Sequence, residues 1–289
     1  YKGLNDATRG GLPMGRYVII AGSSSCGKTT HINTMIKFWM KYPDVKVGVL
    51  SLELTKGQYF IEMLSREIGV KIDDITDNET RHNYLNREDV IDVGNKLFYN
   101  DDGTHTLFVV DDRDSKISTI QALMEDLVIK QGCNLIVADP ISDLMQQLDN
   151  QQQVVLNSWI KSFIKKHNIL LVGISHVKKG DKKYDEGDIP NEGDLIGSYA
   201  NASSAAAIFF CSRNKMTDNM MVKNTTLWTS PKVRWTGRTG TLDKTLYVPE
   251  SHSLVNLDDY LSGGGVGQQL GANESLDSDR ITSENEPDF

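Results

Sequence analysis

Cysteine is scarce in this 289-residue chain, and its three copies, Cys26, Cys133 and Cys211, stand far apart. They form no Cys-x-x-Cys pair. That spacing excludes a disulfide framework and a cysteine-based zinc site, and it suits a reducing, cytoplasmic compartment. No apolar run nears the roughly 18 residues that cross a bilayer, so no membrane partner is expected. No leader with a basic start and an apolar centre precedes the first apolar run. The chain opens on Tyr1 rather than Met, as a fragment or a processed product does. A surplus of positive charge is missing too: the formal net charge is −8. The acids are concentrated, however. From 273 to 289 stand Glu274, Asp277, Asp279, Glu284, Glu286 and Asp288 against Arg280 alone, which leaves the remainder near −3. Any nucleic-acid surface has to be local.

What is present is an alternation of apolar strands and amphipathic helices. Continuous apolar runs at 17–21, 45–50, 107–110, 135–138 and 169–174 predict buried strands. Between them, helical spacing appears at 30–42 (Ile32, Met35, Ile36, Trp39), at 56–69 (Phe60, Met63, Leu64, Ile68), near 87–97, from Ile117 to Val128, and at 152–167. The polar stretch 71–85 reads as a loop. Unbroken apolar strands separated by helices imply a mostly parallel sheet covered on both faces. After 200 the runs at 205–211, 225–235 and 242–248 follow one another through short turns, and they predict strands extending the sheet antiparallel. The expected organisation is one α/β domain over 1–261 and an acidic tail over 262–289, disordered for want of apolar residues.

The run Gly22-Ser23-Ser24-Ser25-Cys26-Gly27-Lys28-Thr29 has the form Gly-x-x-x-x-Gly-Lys-Thr. It follows a predicted strand and opens a predicted helix, the context this phosphate-binding loop requires. Glycine lets backbone N–H groups turn toward an anion, and the helix adds its positive dipole end. Lys28 then reaches the β- and γ-phosphates of ATP or a close relative such as dTTP, the Thr29 hydroxyl ligates Mg²⁺, and Thr30 adjoins the nucleotide.

Ligands of an open parallel sheet bind at the carboxyl ends of its strands. Polar groups stand at each end: Glu53 after the second strand, Asp111 and Asp112 after the third, Asp139 after the fourth, and His176 after the fifth. Both 107–111 and 135–139 read as four apolar residues and then an acid, so spacing leaves two candidates for the metal-associated aspartate. Asp111 and Asp112 also suit helix capping.

These segments together resemble the hexameric replicative helicases of the DnaB family, in the branch of phage primase–helicases and the mitochondrial helicase Twinkle. The resemblance runs from about residue 3 to 254. It is carried by Ser51-Leu52-Glu53-Leu54, by Leu107 to Asp112, by Ile136-Val137-Ala138-Asp139, by Gly173-Ile174-Ser175-His176, by Gly193 to Asn214, and by Lys232-Val233-Arg234-Trp235-Thr236-Gly237. It implies a RecA-like P-loop fold. It implies Asp139 as the Mg²⁺-associated acid, Glu53 as the base that polarises the attacking water, and His176 as the γ-phosphate sensor. It implies Lys232 and Arg234 as cations lent to the neighbouring subunit of a homo-hexamer, and Arg213 and Tyr247 as the pair that sandwiches the base.

After His176 comes a lysine-rich loop with Lys178, Lys179, Lys182 and Lys183. By the same resemblance it grips single-stranded DNA in the ring's channel, although Asp181, Asp185, Glu186 and Asp188 balance its charge. The family's phage branch often has a basic residue near Ala202; here 199–204 is neutral. The tail ending Pro287-Asp288-Phe289 resembles acidic, aromatic-ended tails of phage replication proteins that touch DNA polymerase. No primase motif occurs, so priming would reside on an upstream domain or a separate protein. The implied function is an ATP-driven DNA helicase in the cytoplasm of a phage-infected cell. A strand-exchange recombinase forming filaments on DNA, or a nucleotide-gated scaffold, has the same core fold and stays open on this reading.

Overall fold

The strands that read as unbroken apolar runs lie side by side in parallel. They are β1 (Arg16–Gly22), β2 (Val47–Ser51), β3 (Leu107–Val110), β4 (Leu135–Asp139), β5 (Leu170–His176) and β6 (Ala207–Ser212). The strands β7 (Thr225–Val233), β8 (Gly240–Val248) and β9 (Ser253–Asn256) continue the sheet antiparallel. The order is β3-β2-β4-β5-β1-β6-β7-β8-β9. The computed structural model describes residues 1–264 apart from 113, 115 and 198. The expected acidic tail therefore lies, from 265 onward, outside the described residues.

Side chains alternate across the sheet. Tyr17, Ile19 and Ala21 of β1 enter one buried cluster, and Val18 and Ile20 enter the other. Burying an Ile or Val fully contributes about 1.5–3 kcal/mol, so a strand buried on both faces is firmly held.

On the Val18 face lie α1 (Lys2–Thr8), α2 (Lys28–Trp39) and α3 (Lys56–Ile68). They contribute Leu4, then Ile32, Met35 and Ile36, then Tyr59 and Met63. Two helices lie between α3 and β3: α4 (Asn78–Leu85) and α5 (Glu88–Phe98). The Tyr17 face is covered by α6 (Ile117–Glu125), α7 (Ile141–Gln147) and α8 (Asn150–His167). A π-type turn, Asp126–Lys130, prolongs α6. Later come α9 (Tyr199–Ser204), α10 (Met220–Asn224) and α11 (Leu257–Asp259).

Local chemistry fixes the ends of α8. Asp149 accepts from the Gln152 N–H while the Gln152 side chain accepts from the Asp149 N–H, closing a capping box. Leu156, Ile160, Phe163 and Ile164 form its buried stripe. Lys165, Lys166 and His167 crowd its negative end, and Asn168 stops it in the left-handed conformation at φ 50°.

The structure departs from expectation in three places. The stretch 71–85 is not all loop: α4 occupies its second half, started by Asp77 accepting from the Thr80 N–H. None of its residues is buried, so it has no apolar stripe to betray it. The run at 205–211 joins β1 in parallel as β6, and the antiparallel part begins only at the β6–β7 pair. Finally, α1, α7, α9 and β9 are short elements held by tertiary contacts.

Candidate nucleotide and DNA site

At Gly22 the first strand ends, and the chain must turn inside a space with no room for a side chain. A Cβ at Gly22 would stand 2.5 Å from the Cys211 carbonyl oxygen and 2.6 Å from the Cys26 Sγ. Gly27 precedes α2 with φ 97°, a conformation natural to glycine. Cys26 is fully buried beneath the loop, and burial pushes its thiol pKa up, so it serves packing rather than redox chemistry.

Lys28 is buried. Its Nζ donates to the Gly22 carbonyl at 3.0 Å and the Ser23 carbonyl at 2.7 Å, and lies 3.3 Å from the His176 Nδ1. The strand register explains that meeting: Gly22 of β1 pairs with His176 of β5. Desolvation, and then the Lys28 charge, holds the His176 pKa below the usual histidine range, so its ring is neutral at pH 7.

Asp139 ends β4 opposite Ser51 of β2. It is buried, and the Thr29 side chain acts on it. Its pKa is raised from 3.8 to about 7, chiefly by desolvation, with the Glu53 charge adding to the rise and Lys28 opposing it. The rival acids stand elsewhere. Asp111 accepts from the Lys56 N–H at the start of α3, and Asp112 accepts from the Asp114 N–H. Neither caps the following helix, α6, whose N-cap Lys116 donates its N–H to Asp114.

Glu53 is exposed in the turn after β2. The Ser51 hydroxyl shapes that turn by donating to the Leu54 carbonyl at 2.7 Å. The Glu53 charge acts on both Asp139 and His176. Lys28, Thr29, Glu53, Asp139 and His176 therefore share one edge of the sheet.

Beside this edge lies a cavity of about 310 Å³, lined by Gly27, Thr30, His31, Arg213, Asn224 and Tyr247 among others. Arg213 donates through Nε to the Lys223 carbonyl, and the Tyr247 hydroxyl lies 2.7 Å from the His252 Nδ1. The proposed base-binding pair thus opens onto the same cavity from β8 and from the segment after β6. His31 and Asn224 were not singled out from the sequence. Nothing in a helical His or a lone Asn distinguishes them from core or surface residues there.

Lys232 and Arg234 stand apart from this group. Lys232 Nζ donates to the Ala202 carbonyl and Arg234 Nη2 to the Ser203 carbonyl, each at 2.8 Å. Burial, and then the Arg234 charge, lowers the Lys232 pKa. Lys232 pairs with Ile208 of β6, whereas Cys211 of β6 pairs with Gly22. The separation is three strand steps, about 10 Å along the sheet, and about 16 Å from the Ala206 level to which Arg234 bonds. Within one chain these cations and Lys28 do not converge.

On the other flank a cleft of about 1280 Å³ runs from Ser23, Ser24 and His176 past Lys178, Lys179, Lys182 and Lys183. Lys178 Nζ donates to the Gly193 carbonyl. Lys182 pairs with Asp194 at 2.9 Å, and Lys183 with Glu186 at 3.1 Å. Lys182 is the most enclosed of the four.

Comparison with known proteins adds the family. The family model for the DnaB-like helicase C-terminal domain matches residues 1–247. The chain belongs to the DnaB-like helicases. It is therefore an enzyme of helicase class with a RecA-like ATPase fold. Among solved structures, one described as an ATPase domain superposes with a TM-score of 0.68 at 19% identity, covering 88% of each chain. A DnaB-like replicative helicase, described with its interactions with primase, superposes with a TM-score of 0.68 at 18% identity. That match covers 89% of this chain and 61% of the other, so this chain spans less than two thirds of that relative's length. At such identities the superpositions establish fold alone. No curated protein matches the sequence.

Proposed function

We propose that this helicase-family domain hydrolyses ATP, or a related triphosphate such as dTTP, to move along single-stranded DNA as a ring of six copies and to open duplex ahead of it. The single observation that carries this reading is the split site. Lys28, Thr29, Glu53, Asp139 and His176 gather at one sheet edge, while Lys232 and Arg234 lie about 10–16 Å away along the strands. A hydrolytic site using both sets is completed by a second copy.

The residues present fit Mg²⁺. Thr29 and Asp139 offer hydroxyl and carboxylate oxygens, hard donors suited to that ion, and the buried Asp139 carboxyl lacks a full compensating charge. Bound with nucleotide, Mg²⁺ supplies charge neutralisation at the phosphates. The chain's own groups do the rest. Residues 22–30 wrap the phosphates, and Lys28 exchanges its carbonyl partners for phosphate oxygens. Glu53 takes a proton from the attacking water. Neutral His176, already against Lys28, reads whether the terminal phosphate is present. Arg213 and Tyr247 hold the base between a planar cation and a ring. Arg234, with Lys232, stabilises transition-state charge from the neighbouring copy, a contribution of roughly 10³–10⁵ in rate for such an arginine.

The lysine-rich loop, through Lys178, Lys179, Lys182 and Lys183, is the proposed grip on the DNA backbone. The acidic tail is proposed as a docking peptide for a DNA polymerase, and an upstream or separate primase as a partner. No described helix is long and apolar enough to cross a membrane, and the cytoplasm of a phage-infected cell is the proposed setting. Electron microscopy with ATP and oligo-dT tests the assembly: closed six-membered rings support it, whereas open helical filaments would assign the chain to strand exchange. Strand separation on a forked duplex then tests the motor. Lys28→Ala and Glu53→Gln are each expected to abolish DNA-stimulated hydrolysis, and normal turnover in either would remove that residue from the site.

A further inference from the structure

One side chain joins the phosphate loop to the lysine-rich loop. Two residues past Arg213, Lys215 extends its Nζ to the Ser24 carbonyl at 2.8 Å and pairs with the Asp185 carboxylate at 2.5 Å. Its backbone N–H donates to the Asp185 carbonyl at 2.7 Å. Next to it, Asn214 forms an isolated antiparallel bridge with Glu186. Gly187 follows at φ 104°, where an added Cβ would lie 3.3 Å from the Asn214 Cβ. The far half of the lysine loop is therefore zipped onto the segment leaving β6, and Lys215 pins both to the phosphate loop. Lys215 is largely covered, with a side-chain exposure of 22% against 63% for Asp185.

We infer that Lys215 is a positioning residue that latches the 178–188 loop to the phosphate loop, and that a bound triphosphate releases the latch by competing with Asp185 for its ammonium group. The inference rests on the reading of 22–29 as the triphosphate site; the reading of the lysine loop as the DNA grip gives the latch its purpose. The arriving ligand carries several negative charges to the mouth of the loop whose carbonyl Lys215 already holds. Asp185, being largely exposed, is the partner more easily given up, because a solvated ion pair is weak. Freed, the loop can follow DNA; latched, it is held across the cleft.

Trypsin reads the latch directly, because the loop offers cleavage sites at Lys178, Lys179, Lys182 and Lys183. The full chain is digested briefly with and without Mg²⁺ and a non-hydrolysable ATP analogue, and cuts within 178–183 are counted by mass spectrometry. In the unsubstituted protein the analogue is expected to speed these cuts by about threefold, the scale of one exposed ion pair. Asp185→Asn and Lys215→Met are expected to reach that faster rate without nucleotide and to gain less than twofold from it. Lys215→Arg should restore the slow, nucleotide-responsive loop, which a general packing defect would not do. Wild-type cleavage rates in Asp185→Asn without nucleotide, or a loop indifferent to the analogue, would overturn the latch. The reading beneath it has separate measurements: fluorescent-ATP binding for the phosphate loop, and oligo-dT affinity of Lys178→Ala/Lys179→Ala for the grip. Failure of the DNA measurement alone would leave the latch standing.

Discussion

Replacing Asp139 with asparagine keeps the side chain's shape and removes its charge. In the native chain that carboxyl has its pKa raised from 3.8 to about 7, with desolvation first and the Glu53 charge second. A folded-state pKa above the unfolded one means that the folded chain binds more protons. Stability is then greatest below pH 3.8 and is lost as pH rises through 7. The full shift, about three units at 1.36 kcal/mol each, corresponds to an upper bound of about 4 kcal/mol. An ideal titration places about 2 kcal/mol of this loss below pH 5 and the remainder between pH 5 and 8. Relaxation and water entry reduce both parts.

Asp139→Asn is therefore expected to be more stable than the native chain without metal or nucleotide, by a margin that widens by about 1–2 kcal/mol between pH 5 and pH 8. Urea unfolding in EDTA at the two pH values measures the margin. With Mg²⁺ and ATP the order should reverse, because only the charged carboxylate offsets the cation. A margin that does not change with pH, or an asparagine variant less stable at pH 8, would refute the claim that this acid is held at a cost for its ligand.

Three further outcomes follow from the same geometry. Arg234→Ala is expected to be inactive by itself and, when titrated into native protein, to depress steady-state ATP hydrolysis more than in proportion to its share; strict proportionality would count against a site shared between copies. His31 is fully buried with its pKa lowered to about 3 by desolvation and then by Arg66. Its contribution to stability is present above pH 6.5 and lost as pH falls toward 3, so His31→Phe should flatten the melting temperature's decline between pH 6.5 and 4.5, and an unchanged slope would exclude His31 as the cause. Gly22→Ala drives a Cβ into the Cys211 carbonyl and the Cys26 sulfur; thermal melts and fluorescent-nucleotide titration should show lower stability and weakened binding, and a variant equal to the native chain in both would mean that the loop has slack the structure does not show.

The fold was legible wherever burial leaves a periodic mark. Residues 17–21 of β1 and the stripe Leu156, Ile160, Phe163 and Ile164 of α8 could be read because packing selects them by side-chain type alone. The turn at 22–29 was legible for a different reason: a tight turn between strand and helix requires glycine at fixed positions, and Gly22 and Gly27 show why. Features set by distant partners were not legible. Helix α4 rests on an Asp77 cap and buries nothing, so its sequence is that of a solvated loop. Spacing alone did not separate Asp111 from Asp139, and only the family resemblance favoured the latter. β3 is an edge strand and β4 lies two strands from β1, but four apolar residues before an acid describe both. Lys215 was invisible for a similar reason, since both partners of its Nζ are far from it in sequence.

The sheet also sets what one copy can do unaided. β6 runs between the two halves of the proposed machinery: Cys211 lies at the level of Gly22, and Ile208 at the level of Lys232. A strand buried on both faces is stiff, so no small adjustment brings Arg234 across about 16 Å to a phosphate held by Lys28. The carbonyls of Ala202 and Ser203 meanwhile occupy Lys232 and Arg234. A single copy should accordingly bind triphosphate with Lys28, Thr29 and the 310 Å³ cavity, yet turn it over slowly. On the proposed reading, hydrolysis per copy must rise steeply with protein concentration while nucleotide affinity stays flat. A rate per copy that is constant from nanomolar to micromolar protein, across the range where light scattering shows assembly, would mean that each copy is complete alone.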